Sequence, residues 1–249
     1  MILSVFTPSP IAWDNDNFID SSFWALNPSD DDIVKALYVD ESDYDTAYTT
    51  NWSGYDGTQC TDMKVEYISD VLPWTLSDNT IYVLTTWAMD LSYTVNLWTC
   101  TTVISQVESG TSINFIKNID AWLYVWNNKT YAIMDNINIL KEWNKYIDFW
   151  IFVEWSKITI NNVYVSNFDT MWLYLLNSNY NLLNNIIVTK CWYSWIYFES
   201  CKYNKTNNYT CYNTAYMWLA ADNSSFNCFY NILVYDIYQK DEGWTIWAI

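Results

Sequence analysis

An all-β solenoid built from coils of 22–23 residues is the fold class that this sequence predicts. Trp172, Trp195 and Trp218 stand 23 residues apart, and the chain repeats with them as Trp-Leu-Tyr-Leu, Trp-Ile-Tyr-Phe and Trp-Leu-Ala-Ala. Nine residues beyond each Trp comes an Asn preceded by an aromatic ring: Asn181 after Tyr180, Asn204 after Tyr203, Asn227 after Phe226. Thirteen residues beyond each Trp comes a second Asn, at 185, 208 and 231. Trp150 opens an earlier copy one residue shorter, whose Asn162 joins the second column. A fixed period of this length marks stacked coils, each burying its apolar side against the next.

Within one coil the apolar residues recur at period two: Leu173 and Leu175, Ile186 and Val188, Ile196 and Phe198, Ile232 and Val234. That spacing predicts short strands with these side chains inward. Asn-rich stretches such as Asn177-Ser-Asn and Asn184-Asn185 fall between them, where turn or left-handed backbone is needed. No stretch predicts a capped amphipathic helix of useful length. Stacked coils set equivalent residues about 4.8 Å apart, so like side chains form ladders. Asn162, Asn185, Asn208 and Asn231 are expected as one amide ladder at a corner, and Asn181, Asn204 and Asn227 as another. Trp150, Trp172, Trp195 and Trp218 are expected in one line, and the column Tyr180, Tyr203 and Phe226 as stacking in the wall.

The composition runs against this fold in one respect. Seventeen Trp accompany four Gly, whereas Gly ordinarily makes up about 7% of residues and tight turns call for its positive φ. Pro73-Trp74, Glu142-Trp143-Asn144, Glu154-Trp155-Ser156 and Gly243-Trp244 read as turns with Trp at the glycine position. A bacterial code that reads UGA as glycine, translated with UGA as Trp, accounts for this. Seventeen and four together make twenty-one glycines, about 8% and near the usual share. The opposing reading is a Trp-rich protein with an aromatic sugar-binding surface. The first predicts indoles pushed outward or held at unusual backbone angles, because no coil interior has room for one at every corner.

With glycine read at those positions, Trp150-Ile151…Asn161-Asn162-Val163 and Trp172-Leu173…Asn184-Asn185-Ile186 resemble the repeats of right-handed parallel β-helices. Trp195-Ile196…Asn207-Asn208-Tyr209 and Trp218-Leu219…Asn231-Ile232 continue the series. Upstream, Asn79-Thr-Ile-Tyr-Val-Leu, Thr94-Val-Asn-Leu and Thr102-Val-Ile-Ser resemble the leading coils of the same proteins. The pattern is similar to the pectin-lyase-like superfamily, clearly over about 90 residues and more weakly over about 170. The resemblance implies a right-handed parallel β-helix over 79–249. It implies export, and leaves chemistry open, since that fold carries lyases, hydrolases, adhesins and spacers.

Residues 1–78 lack the repeat and hold most of the clustered acid, including Asp30, Asp31 and Asp32. The net charge is −17, with no Arg and no His, which argues against nucleic acid or an anionic membrane as partner. No apolar run reaches the length of a membrane span. Met1 to Ala12 make a poor signal peptide; as β-helices of this kind are usually exported, both chain ends read as incomplete, the C-terminal one because Trp244–Ile249 begins a coil without a cap. Five Asn-x-Ser/Thr sites follow from composition alone. The six Cys (60, 100, 191, 201, 211 and 228) share no column of the repeat and form no CxxC pair, which reads as mostly free, buried thiols.

Without His, nucleophilic triads and His-based metal sites are excluded. The lyases of the resembled fold bind Ca²⁺ through clustered carboxylates and commonly remove the proton with Arg; neither set is present, nor are the hydrolases' Asp, His, Arg and Lys motifs. Glu199 and Asp222 share a column on successive coils, where two carboxylates about 5 Å apart would suit a retaining glycosidase or a weak Ca²⁺ site, with Lys202 nearby. The column holds Leu176 and Glu154 in earlier coils, so two solvent-facing acids is the plainer reading. Asp14, Asp16 and Asp20 resemble a calcium loop but leave the EF-hand spacing after the second ligand. No cofactor is expected. The favoured expectation is a non-catalytic, secreted or cell-surface β-helix contacting polysaccharide or cell-surface glycan; the other is a polysaccharide lyase or glycoside hydrolase.

Overall fold

The computed structural model describes residues 21–37, 62–93, 95–97, 100–116, 121–126, 131–141, 148–154 and 157–237. Two short helices come first, α1 (Ser21–Ala25) and α2 (Asp30–Leu37). Seventeen strands follow: β1 (Lys64–Ile68), β2 (Thr80–Leu84), β3 (Ala88–Leu91), β4 (Val95–Leu97), β5 (Thr101–Ser105), β6 (Thr111–Phe115), β7 (Ala121–Trp126), β8 (Tyr131–Lys141) and β9 (Asp148–Glu154). Then come β10 (Lys157–Ser166), β11 (Thr170–Leu176), β12 (Leu182–Thr189), β13 (Tyr193–Glu199), β14 (Lys205–Thr214), β15 (Tyr216–Asp222), β16 (Cys228–Tyr230) and β17 (Leu233–Ile237).

Every strand pairing among them is parallel. A long sheet of 11 strands runs β1-β2-β5-β8-β10-β12-β14-β16, with β3, β6 and β17 beside it; a short sheet of 6 runs β15-β13-β11-β9-β7-β4. Successive strands of one sheet are successive turns of the chain, so the protein is a parallel β-solenoid. Its turns are 23 residues in the regular part: Leu173 opposes Ile196 and Val188 opposes Cys211. The first described strand of the long sheet, β1, lies within the segment 1–78.

The core follows from alternation. In β11 and β13 every second residue is buried, giving Met171, Leu173 and Leu175, then Ser194, Ile196 and Phe198. Val163, Ile186 and Tyr209 and then Val165, Val188 and Cys211 form matching columns from the long sheet. Each fully buried aliphatic side chain contributes about 1.5–3 kcal/mol, so these columns dominate the stability. In the last described rung the columns open to solvent, and Leu233, Val234 and Tyr235 are exposed.

Corners show how the coil sharpens along the chain. β8 pairs with β5 through its first half and with β6 through its second, so one continuous strand takes the place of two strands and a loop. That loop closes at Gly110, φ +78°, where a Cβ would lie 2.8 Å from the Asn136 carbonyl oxygen. From β8 onward a single left-handed Asn replaces the loop: Asn136, Asn162, Asn185 and Asn208, at φ of 50–58°.

The N-terminal segment departs from expectation, because α2 is a capped amphipathic helix. Ser29 Oγ accepts from the Asp32 N–H at 3.3 Å while the Asp32 carboxylate accepts from the Ser29 N–H at 3.0 Å, a capping box. The acids at 30–32 thus form its first turn, where they complement the helix dipole. Ile33 and Leu37 pack on Ile81, Val83, Ile104 and Ile133, the outward side chains of the first rungs. This covering explains why all of β2 and β5 is buried.

Val188→Asp should abolish cooperative folding, since the carboxylate would enter a dry column without a partner. Lys190→Asp, at an exposed left-handed position (φ 54°), should shift the melting temperature little. Thermal melts of the two variants check the inward assignment.

Candidate functional site

Three kinds of stacked column emerge from the coils: amide ladders, aromatic stacks and a row of carboxylates. In the corner ladder the Nδ2 of Asn185 donates to Oδ1 of Asn162 at 3.0 Å, Asn208 to Asn185 at 2.8 Å, and Asn231 to Asn208 at 2.9 Å. Their neighbours make a second ladder, Asn207 to Asn184 at 3.0 Å and Asn184 to Asn161 at 2.8 Å. A third, inside the turn, is buried. Asn181 donates to Asn204 Oδ1 at 2.8 Å and Asn204 to Asn227 Oδ1 at 3.0 Å, and the same oxygens accept the backbone N–H of the preceding rung. An amide both accepts and donates along the axis, which is why Asn can repeat there indefinitely.

The first two ladders converge on Asp135. It is 2% exposed, and its Oδ1 accepts from Asn161 at 2.9 Å and Asn162 at 3.1 Å. Burial raises its carboxyl from an ordinary value near 3.8 to about 6, against the lowering effect of the two amides and the Asn136 backbone.

The short sheet carries the wall. Trp122, Trp150, Trp172, Trp195 and Trp218 fall in one register column, inside the strands and not at their turns. The indoles of 172, 195 and 218 face outward, half-buried, and stack at ring distances of 4.5 and 4.9 Å, with planes 11° and 4° apart. Each covers its neighbour's face, so the stack presents ring edges to solvent. Beside it run Phe152, Tyr174 and Tyr197, and on the other side Tyr193 and Tyr216, stacked at 4.9 Å.

Positive φ is found elsewhere than expected. Among the described residues no Trp has it; Asn carries most, with Tyr180, Tyr203 and Phe226 at 60°, 58° and 59°. Left-handed backbone costs a bulky residue about 1–2 kcal/mol. Ring stacking at 5.2 and 5.1 Å offsets part of it, at about 0.5–1.5 kcal/mol per pair.

Glu199 and Asp222 are register neighbours at the end of the wall, with Leu176 and Glu154 below them. The Tyr174 hydroxyl donates to Glu199 Oε2, and Tyr197 lies beside Asp222, whose charge, after burial, helps to raise its phenol. Both phenols are raised, chiefly by burial and then by these acids. This pairing of Tyr with an acid 25 residues on was missed in the sequence, where only the acid column was visible. Lys202 is exposed in the following turn, its backbone N–H on Asn179, and makes no ion pair with either acid. The described ion pair, Lys141 with Asp169 at 2.7 Å, lies elsewhere. Asp14, Asp16 and Asp20 lie outside the described residues. Among the described residues no group of three or more His, Cys, Asp or Glu could hold a metal ion.

Cys191, Cys201 and Cys211 are free and buried, and burial pushes the first thiol up to about 12 and the second to about 11, so neither is a nucleophile at neutral pH. Two thiols differ from expectation: Cys228 is free but exposed, and Cys100 is disulfide-bonded. An apolar space inside the first coils, about 30 Å³, is lined by Leu91, Val103, Phe115 and Phe149 among others. It has no polar group with which to act on a substrate. No helix among the described residues is long and apolar enough to cross a membrane. No protein-family model, curated protein or solved structure matches this chain.

Two stability experiments test the ladders. Asn204→Ala strands the backbone and side-chain donors of Asn181 and takes a donor from the Ser178 carbonyl and from Asn227 Oδ1, and should cost more than about 2 kcal/mol, whereas Asn208→Ala, at an exposed corner, should cost about 1 kcal/mol for its left-handed backbone. Asp135 binds its proton more tightly folded than unfolded, so its contribution is fully present below about pH 4 and is lost as pH rises through about 6. The loss is about 3 kcal/mol. Asp135→Asn should flatten this part of a denaturation series taken from pH 4 to pH 8.

Proposed function

We propose that this chain is a non-catalytic β-helix of a secreted or cell-surface protein, and that the outer wall of the short sheet contacts glycan. The observation that carries this reading is the wall itself. Tyr174, Tyr193, Tyr197 and Tyr216 share this face with Glu199 and Asp222, offering hydrogen-bonding groups beside apolar ring edges. The disulfide at Cys100 fits an oxidising compartment. The sequence resemblance to pectin-lyase-like β-helices favours the same setting.

Enzymatic use of Glu199 and Asp222 has less behind it. Both acids sit on a wall, Glu199 with the Tyr174 hydroxyl as partner and Asp222 beside Tyr197, and the nearby lysine makes no ion pair with them. The thiols are held protonated by burial.

We also infer that much of the tryptophan is encoded by UGA and read as glycine in a bacterial source. The wall indoles of Trp172, Trp195 and Trp218 point outward, and Trp74, Trp87 and Trp192 are 68%, 69% and 53% exposed. The glycan reading does not depend on them, because the Tyr and carboxylate rows remain when the Trp column is replaced by Gly.

Binding on a glycan array, without release of reducing ends or unsaturated sugars from the bound polymers, is the expected result. Bond cleavage that Glu199→Gln abolishes would overturn the non-catalytic reading. UGG codons at Trp150, Trp172, Trp195 and Trp218 would end the recoding inference.

A further inference from the structure

The outward columns set tyrosines in stacked pairs, and one pair differs from the others in its chemistry. Tyr174 and Tyr197 are register partners 23 residues apart, on β11 and β13. Their rings lie 5.2 Å apart with planes 37° from parallel, half-buried on the outward side of the short sheet. The Tyr174 hydroxyl donates to Glu199 Oε2, and Tyr197 lies beside Asp222. Ala220 follows in the column, so the column sets no further ring on the far face of Tyr197. Tyr193–Tyr216 and Tyr212–Tyr235 stack as closely, at 4.9 and 5.1 Å, yet among the described residues their hydroxyls make no hydrogen bond.

A neutral phenol gives up an electron readily only when its proton leaves with it, because the protonated radical is a strong acid. A carboxylate that already holds the hydroxyl hydrogen is a base within reach of that proton. At Tyr174 this base is Glu199. The radical left behind is a neutral phenoxyl with unpaired density on the ring carbons ortho to its oxygen. Two such rings on adjacent rungs meet at an effective concentration far above that of separate molecules.

We infer that Tyr174 and Tyr197 are a site of oxidative cross-linking, joined as a dityrosine by a one-electron oxidant of the haem-peroxidase class that consumes hydrogen peroxide. Each phenol loses one electron to the oxidant and one proton, that of Tyr174 to Glu199 and that of Tyr197 to Asp222. The two phenoxyls form one carbon–carbon bond between ortho positions. The hydrogens on those carbons then move through water to the oxygens, restoring both phenols. Two electrons and two protons leave in all, and one hydrogen peroxide becomes two waters. The new bond ties β11 to β13 and closes a 23-residue loop, which restricts the unfolded chain as a disulfide does. Neither glycan binding nor the identity of the Trp column enters into it.

The test is limited oxidation of the dilute full chain by a haem peroxidase with hydrogen peroxide and, in parallel, by a small photochemical one-electron oxidant, followed by peptide mapping. The expected product is a monomeric chain lighter by two hydrogens, fluorescent as dityrosine, with the link mapped to Tyr174 and Tyr197. It should exceed the Tyr193–Tyr216 and Tyr212–Tyr235 links at least about tenfold, and Glu199→Gln, which keeps an acceptor but removes the base, should lower its yield by a similar factor. The linked chain should melt at a higher temperature than the unlinked one. In chain unfolded by guanidinium the preference for this pair should vanish.

Links formed only between molecules, or oxidation confined to Trp, would overturn the proposal. A main link at Tyr193–Tyr216 or Tyr212–Tyr235 would mean that stacking alone selects the pair, and would overturn the choice of Tyr174 and Tyr197. An unchanged yield in folded Glu199→Gln would overturn the proton-acceptor role of Glu199. The selection of the pair is read on the unsubstituted chain, so it stands or falls whether or not that variant folds.

Discussion

Each regular coil turns its corners with backbone in the left-handed region, and the side-chain amide makes those corners tenable. Asn tolerates positive φ better than other residues with a Cβ, and in a stack it gains a second role. The amide at one rung accepts from the rung on one side and donates to the rung on the other, so the residue that fits the turn also ties turns together. Inward columns such as Leu173–Ile196 and Val188–Cys211 supply most of the burial energy. They fall into line only because the ladders fix register. A slip of one residue would send every inward side chain out and break every ladder at once.

The period was legible in the sequence because each rung reuses the same columns, so 23-residue spacing in Trp and Asn translates directly into register. Elements without that periodicity were not legible. Trp122 belongs to the Trp column, but 28 residues separate it from Trp150, so it escaped the count. Asp135 and Asn136 occupy the two Asn columns, one of them with a different residue. α2 is a single short helix whose signal, Ser29 followed by Asp32, lay inside what read as an acidic run.

The turn chemistry was misread for a related reason. Glycine was expected wherever φ is positive, so its scarcity drew attention to Trp. The described Trp residues hold no positive φ, and Asn takes most of those sites; among the others are three aromatic residues whose strain is shared along a stack. For the wall, the acid column could be read from spacing, but its Tyr partners could not. That contact joins a residue to one a rung and two positions away, which no fixed column reveals.

The helix α2 covers the outer side of the first rungs, while the last described rung leaves Leu233, Val234 and Tyr235 open to water. Each coil touches only its neighbours, so stability is nearly a sum of rung and interface contributions. A rung that carries an outer layer loses more burial on opening than a rung whose outward side chains meet solvent. The rungs beneath α2 therefore open less readily than those of β11, β13 and β15, and their amides exchange more slowly.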